Sequence, residues 1–268
     1  MNSLSGKIAL VTGASRGVGK GIALGLAKYG ATVYVTGRTE SGEALPEFLK
    51  STSIHDTAKA VTDLGGIGIA KRCDHANDDD VKKLFEEIEK EQGRLDILVN
   101  NAWAGAQHVM NGYFYNTPFW EQPISLFDDF HRVGMRSNYL ASHYAAKLMT
   151  KQKSGLVVNI SYESANHYWI NVTHGLIKAA TDKFTSDAAM ELKEYGVKMI
   201  SLHPGTVLTE GMIEFAKYDS TFKIEEMESP QFVGHCIAAL AMDEAVIEQT
   251  GKALLTKEIA SRYHITEQ

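Results

Sequence analysis

A single α/β domain built on one doubly wound parallel sheet, with about seven strands and helices on both faces, is the fold class this sequence predicts. Three observations predict it. Short apolar runs alternate along the whole chain with longer amphipathic segments. The apolar runs lack the polar alternation of a half-exposed strand, so they read as strands covered on both sides. Each pair of runs is separated by enough residues to hold a helix, which implies parallel pairing, and no linker, repeat or low-complexity tract divides residues 1–268 into two units.

Lys7–Val11 reads as the first strand and Gly19–Tyr29 as the first helix, with Ile22, Leu26 and Tyr29 at helical spacing. The β-branched run Thr32–Thr36 is the second strand. Thr39–Ser53, rich in Ser, Glu and Gly, reads as a surface loop. A helix at Asp56–Leu64, a strand at Ile67–Arg72, a helix at Asp80–Gln92 and a strand at Asp96–Asn100 follow. The second half repeats the rhythm: one long helix over Leu126–Lys151, a strand at Leu156–Ser161, a helix over His174–Tyr195 and a strand at Lys198–His203. The tail supplies a helix at Pro230–Met242 and a last strand at Lys252–Thr256.

The bulk properties narrow the function. A formal net charge of −6 argues against a nucleic-acid partner, which requires a basic face. The two cysteines, Cys73 and Cys236, form no disulfide or zinc spacing, and the ten histidines include no HExxH pair, so no metal is expected. No apolar stretch is long enough to span a bilayer. With no secretory pattern at the N-terminus, the expected location is the cytosol.

The first strand runs directly into Thr12-Gly13-Ala14-Ser15-Arg16-Gly17-Val18-Gly19 and then into a helix. Glycines there permit a tight turn and close approach of backbone N–H groups to a pyrophosphate, and the helix directs its positive end to the same place. Gly13, Ser15, Arg16, Gly17, Val18 and Gly19 are therefore candidate dinucleotide contacts. The second strand ends at Gly37-Arg38, where an NAD site usually carries an acidic residue for the ribose hydroxyl. Arg38, joined by Arg16, suits a 2′-phosphate instead, while Glu40 lies two residues late; NADP(H) is favoured over NAD(H).

These features, together with motifs further along, make the chain resemble the short-chain dehydrogenase/reductases over nearly its whole length. The motifs are the Thr12–Gly19 loop, Asp74 after the third strand, Asn100-Asn101-Ala102-Trp103, and Pro204-Gly205-Thr206-Val207-Leu208-Thr209. Pro118–Pro123, Val133-Gly134, Lys178–Lys183 and Glu228-Ser229-Pro230 resemble the dehydrogenase/reductase member 1 branch. The resemblance implies a Rossmann fold and an oxidoreductase acting on a carbonyl or alcohol. It also implies further cofactor contacts from Asp74, Asn101, Ala102, Lys178, Pro204, Gly205, Val207 and Thr209.

The family's catalytic set is a Ser, a Tyr and a Lys, the last two spaced Y-x-x-x-K. Here that segment is His174-Gly175-Leu176-Ile177-Lys178, so the pair still shares a helix face but the phenol is replaced by an imidazole. Lys178 is expected to hold the nicotinamide ribose. Positive neighbours disfavour imidazolium, so His174 is expected to be neutral at pH 7 and a feeble acid. Ser161 has the separation expected of the catalytic serine, alignment by the strand end favours Tyr162, and Ser164 is a third option. Gly134 stands where the family often has an Asn.

Two functions remain open. In one, hydride transfer persists, with His174, a water, or Tyr162 or Tyr168 handling the proton. In the other the fold is an NADP(H)-binding module, or runs an elimination or isomerisation with His174 as base. Trp103, Tyr113, Phe114, Tyr115, Phe119 and Trp120, with Tyr168, Trp169, Met212, Phe215 and Phe222, read as walls of an apolar or aromatic substrate pocket or as packing. By resemblance the chain forms a homodimer or homotetramer through its two long helices, whose stripe includes Leu140, Tyr144 and Leu148.

Overall fold

Strands β1 (Ile8–Val11), β2 (Thr32–Gly37), β3 (Ile67–Arg72), β4 (Ile97–Asn100), β5 (Gly155–Ile160), β6 (Val197–His203) and β7 (Ala253–Leu255) join in one sheet, ordered β3-β2-β1-β4-β5-β6-β7. Every pairing is parallel; Val11, for example, sits in register with both Val35 and Val99. The computed structural model describes residues 3–41, 45–105, 108–109, 111–112, 114, 117–217 and 223–267. Tyr113, Tyr115 and Phe222, expected at a pocket wall, lie outside these. The strand order reverses between β1 and β4, and the crevice at the carboxyl ends of such a pair is where doubly wound sheets bind ligands.

Helices cover both faces. On one side α1 (Gly17–Ala27), α2 (Ile54–Asp63), α8 (Pro230–Met242) and α9 (Thr256–Tyr263) bury Ile22, Leu26, Val61, Val233 and Ile237 against Val11, Val33 and Val99. On the other, α3 (Asp78–Gln92), α5 (Ser137–Gln152) and α6 (Val172–Leu192) close over Leu10, Tyr34, Leu98 and Val157. Leu148 lies in that core, with Leu140 and Tyr144 packed partly against it. The central strands are buried along their length, as fully covered parallel strands should be. The edge strands are not: Ile67 of β3 is 59% exposed.

Caps set several helix starts earlier than apolar periodicity alone suggests. Ser53 accepts from the Asp56 N–H, Asn77 from those of Asp79 and Asp80, and Asn171 from that of His174, so α2, α3 and α6 begin two residues before the expected positions. Three aspartates in the first turn of α3 complement the helix dipole. The long helix expected over Leu126–Lys151 is broken. It comprises α4 (Ile124–Phe130), a π-turn at His131–Arg136 and α5. Non-helical angles fall at Val133 and at Gly134, whose φ of 154° is closed to side-chain-bearing residues. The segment after Thr209 holds a short helix, α7 (Glu210–Ala216), and α9 follows β7 directly.

Helices α1 and α8 cross at glycines. A β-carbon on Gly25 would lie 2.5 Å from the Gly234 carbonyl carbon, and one on Gly234 would lie 2.9 Å from the Gly25 Cα. The backbones meet where any side chain would push them apart. Gly25→Val is therefore expected to cost about 1–3 kcal/mol by overpacking, visible as a lower thermal unfolding midpoint. An unchanged midpoint would mean the helices do not depend on this crossing.

Candidate dinucleotide and active site

The loop after β1 is fastened to the loop after β4. Thr12 Oγ1 accepts from the N–H groups of Asn101 (2.9 Å) and Ala102 (3.0 Å). The Asn101 side-chain amide donates to the carbonyls of Thr12 (2.9 Å) and Gly13 (3.1 Å). Glycine is required at both contacts. A β-carbon on Gly13 would sit 2.8 Å from the Ala102 Cα, and one on Gly19 2.5 Å from the Gly13 oxygen. Gly17, with φ +57°, opens α1, and its N–H donates to Glu210 Oε2 at 2.9 Å. A carboxylate from α7 thus occupies an N–H of the loop that sequence reasoning assigns to a pyrophosphate, a contact between residues 193 apart that no local motif announces.

Arg16 is held in place, with Nε on Thr52 Oγ1 (3.0 Å) and Nη2 on Thr39 Oγ1 (2.9 Å). Burial lowers its pKa; Glu210 opposes that and the nearby Arg38 adds to it. Arg38 is exposed beside it at the end of β2. Glu40 is exposed, 3.7 Å from Arg72 and 3.8 Å from His55. Asp74 accepts from the Ala76 N–H at 3.0 Å, fixing the turn after β3. Ser15 is buried and Val18 packs on the core. The residues fit a dinucleotide: a cradle that a β-carbon would fill, a helix N-terminus, and the guanidiniums of Arg16 and Arg38 near each other at its rim.

At the carboxyl end of β5, His174 and Lys178 lie one turn apart on α6. His174 is 8% exposed and ringed by Trp103, Phe114, Tyr162 and Trp169, with ring centroids 5.7–6.4 Å from its own. Its Nδ1 is 2.9 Å from Ser164 Oγ. Burial first, and the Lys178 charge second, hold its pKa down at about 3, so the ring is neutral. Lys178 Nζ donates to the Ile160 carbonyl at 2.9 Å; burial draws its pKa down to about 8, opposed by Asp182. Ser161, 2% exposed, turns inward, with its hydroxyl 3.3 Å from the Lys178 carbonyl and toward Asp182. Tyr162 packs on Trp169 at a tilt of 41° (4.4 Å between centroids), and its hydroxyl engages the Thr206 side chain.

The loop after β6 closes the other side. Val207 bridges to Glu228, and Thr209 caps α7 by accepting from the Met212 N–H. Glu228 binds the Thr256 hydroxyl (2.5 Å) and the Gly205 backbone, tying the Pro204–Gly205 turn to α9. Asp182 accepts from Ser201 (2.5 Å) and pairs with His203 Nε2 (2.9 Å), a buried set behind Lys178. Sequence reasoning missed this set, although His174, Lys178 and Asp182 repeat at four-residue spacing on one helix face. Of the expected pocket aromatics, Trp103 and Phe114 pack on Phe130, Met212 and Phe215 are half-buried, and Phe119, Trp120 (73%) and Tyr168 face solvent.

A family model described as short chain dehydrogenase matches residues 7–219. The chain is a short-chain dehydrogenase/reductase. Such proteins are oxidoreductases that bind NAD(P)(H). This short-chain dehydrogenase/reductase is 41% identical to mouse "Dehydrogenase/reductase SDR family member 1" over 98% of its own length and 84% of the relative's. Among solved structures it is similar to a putative dehydrogenase from Xanthomonas campestris, with TM-score 0.83 and 25% identity over 98% and 92% of the two chains. It is also similar to a 7α-hydroxysteroid dehydrogenase complexed with NADH and 7-oxo glycochenodeoxycholic acid, with TM-score 0.73 and 26% identity over 94% and 93%. Among the described residues no helix is long and apolar enough to cross a membrane.

The buried imidazoles make stability depend on pH. His174, at about 3, and His75, at about 4, are both held below the ordinary 6.5 by burial. The unfolded chain takes up these protons near 6.5 and the folded chain does not. The stabilisation is therefore complete above that pH and is lost as pH falls toward the folded values, by up to about 1.4 kcal/mol per pH unit for each group. The thermal midpoint is expected to fall between pH 7 and pH 5, with a shallower slope in His174→Phe. Equal slopes would mean that His174 charges in the folded protein.

Proposed function

We propose that this short-chain dehydrogenase/reductase is an NADP(H)-dependent oxidoreductase acting on the carbonyl or alcohol of a small apolar or aromatic compound. The observation that carries the cofactor preference is Arg38 exposed beside the tethered Arg16. Two guanidiniums suit a 2′-phosphate, and arginine stands at position 38, where an NAD site usually carries the acidic residue that takes a ribose hydroxyl. The 7α-hydroxysteroid dehydrogenase solved with NADH is a different protein, and that cofactor belongs to it alone.

In this reading the N–H groups of the Thr12–Gly19 loop and Ser15 take the pyrophosphate, with Arg16 and Arg38 on the 2′-phosphate. Asp74 takes the adenine, and Asn101 and Ala102 lie along the nucleotide. Lys178 takes the nicotinamide ribose, and Pro204, Gly205, Val207 and Thr209 line the nicotinamide. The bound dinucleotide supplies or accepts hydride. Lys178 contributes the positive charge of the site, and Ser161 supports it through the Lys178 carbonyl and Asp182. His174, neutral and fixed by Ser164, orients the substrate oxygen as a hydrogen-bond donor when the Ser164 hydroxyl donates a hydrogen bond to Nδ1 and the single ring proton sits on Nε2. A role for His174 as base in a non-redox reaction is disfavoured, because a group with a pKa of about 3 binds protons weakly at neutral pH. The aromatic walls suit an apolar or aromatic carbonyl substrate. Assembly into a homodimer or homotetramer and a cytosolic location complete the reading.

Calorimetry tests the cofactor. NADPH is expected to bind more tightly than NADH, and Arg38→Ala to weaken NADPH by about 10- to 100-fold while leaving NADH nearly unchanged. Equal affinities in the native protein would exclude the two-arginine site. Glu210 must leave the Gly17 N–H when a pyrophosphate arrives, so Glu210→Ala is expected to bind NADPH about 3- to 10-fold more tightly. Weaker binding would mean that Glu210 supports the cofactor.

A further inference from the structure

We infer that Tyr162 is the acid of the reaction, its phenol giving the proton taken up by the substrate oxygen as a carbonyl becomes an alcohol. This rests on the oxidoreductase reading above and assigns its missing proton donor. Three hydroxyls lie within four residues of the end of β5, and the fold sorts them; the next, on Tyr168, belongs to a side chain that faces solvent. Ser161 is turned under the sheet end, against the Lys178 carbonyl and Asp182. Ser164 is buried and committed to His174 Nδ1. Tyr162 alone of the three is only half-buried. Its ring leans on Trp169 and lies 5.9 Å from the imidazole of His174, and its hydroxyl reaches Thr206 in the loop after β6. The phenol thus crosses from the carboxyl end of β5 to that of β6, over the ground between His174 and the Pro204–Thr209 loop.

The neighbouring groups are poor donors. Neutral His174 would have to become an imidazolate to give up a proton, and the Lys178 ammonium is directed at the Ile160 carbonyl. Tyr162 faces His174, Glu163, Glu228 and Thr206. Burial, Glu163 and Glu228 keep its phenol protonated at neutral pH, while Thr206 favours the phenolate. That is the resting state an acid needs. Hydride from the reduced nicotinamide dinucleotide forms the new C–H bond, and the carbonyl π pair moves to oxygen. The phenolic O–H bond then breaks and its proton forms the alcohol O–H, leaving a phenolate that is reprotonated by water. An alkoxide is far more basic than a phenolate, so the transfer runs downhill. In the reverse direction the positive charge of an oxidised nicotinamide favours the phenolate that must accept the proton.

The test is a phenolate absorbance titration of the whole protein, from about pH 7 to about pH 11, with and without saturating NADP+. One tyrosine is expected to titrate about one pH unit or more lower when NADP+ is bound. That step should disappear in Tyr162→Phe, which keeps the ring against Trp169, and persist in His174→Phe. With an aromatic ortho-quinone as probe, Tyr162→Phe is expected to lose about 100-fold or more in kcat with KM nearly unchanged. Identical titrations in the native protein and Tyr162→Phe overturn the assignment whether or not the quinone is turned over, as does turnover by Tyr162→Phe within about threefold of native. If NADP+ fails to bind the native protein, the dinucleotide reading fails and this one falls with it; if it binds and the Tyr162 step is missing, only the present inference fails.

Discussion

Backbone-to-backbone contact between the loops after β1 and β4 sets the position of everything else in the site. Gly13 lies so close to Ala102 that a β-carbon would overlap it, and the Asn101 amide reaches across to the carbonyls of Thr12 and Gly13. This contact exists because β1 and β4 are neighbours at the point where the strand order reverses. It aims the start of α1 into the crevice and places Arg16 where Thr39 and Thr52 can hold it beside Arg38. It also brings Gly17 within reach of Glu210, so the α7 segment closes on the same loop. A larger residue at Gly13 or Gly19 would separate the two loops and move the arginines, the helix terminus and the β4 loop together.

The layered fold was largely legible in the sequence because strands covered on both faces must be apolar throughout, and β1, β2 and β4 are. What was not legible has physical causes. The break at Gly134 escapes periodicity because the apolar spacing continues through it; only the φ of 154° shows that the glycine is needed. Helix α9 begins at Thr256, immediately after β7 ends at Leu255, with no glycine or proline between them. Helix starts lie earlier than apolar spacing predicts where Ser53, Asn77 and Asn171 supply polar caps.

The site divides in the same way. The glycine loop, Arg38 and the His174–Lys178 pair were readable because strand–loop–helix order and four-residue spacing are local properties. The fasteners were not, since Thr12 with Asn101 and Gly17 with Glu210 are distant in sequence. Spacing likewise could not choose among Ser161, Tyr162 and Ser164. The choice depends on which side of the chain each faces after β5 ends at Ile160, and adjacent residues there point in opposite directions.

The replacement of a phenol by an imidazole at position 174 changes where charge can sit. Among Trp103, Phe114, Tyr162 and Trp169 an imidazolium would be poorly solvated, and Lys178 one turn away would repel it. The ring therefore stays neutral and the positive charge of this region rests on Lys178. That charge is maintained against burial by Asp182, which Ser201 and His203 hold in place behind it. A tyrosine at 174 would combine two properties in one group: nearness to the lysine charge and a proton to give. With histidine there the two properties separate. The cation stays on α6, and a transferable proton must come from another element, which is why the half-buried phenol at the end of β5 carries mechanistic weight that the serines beside it do not.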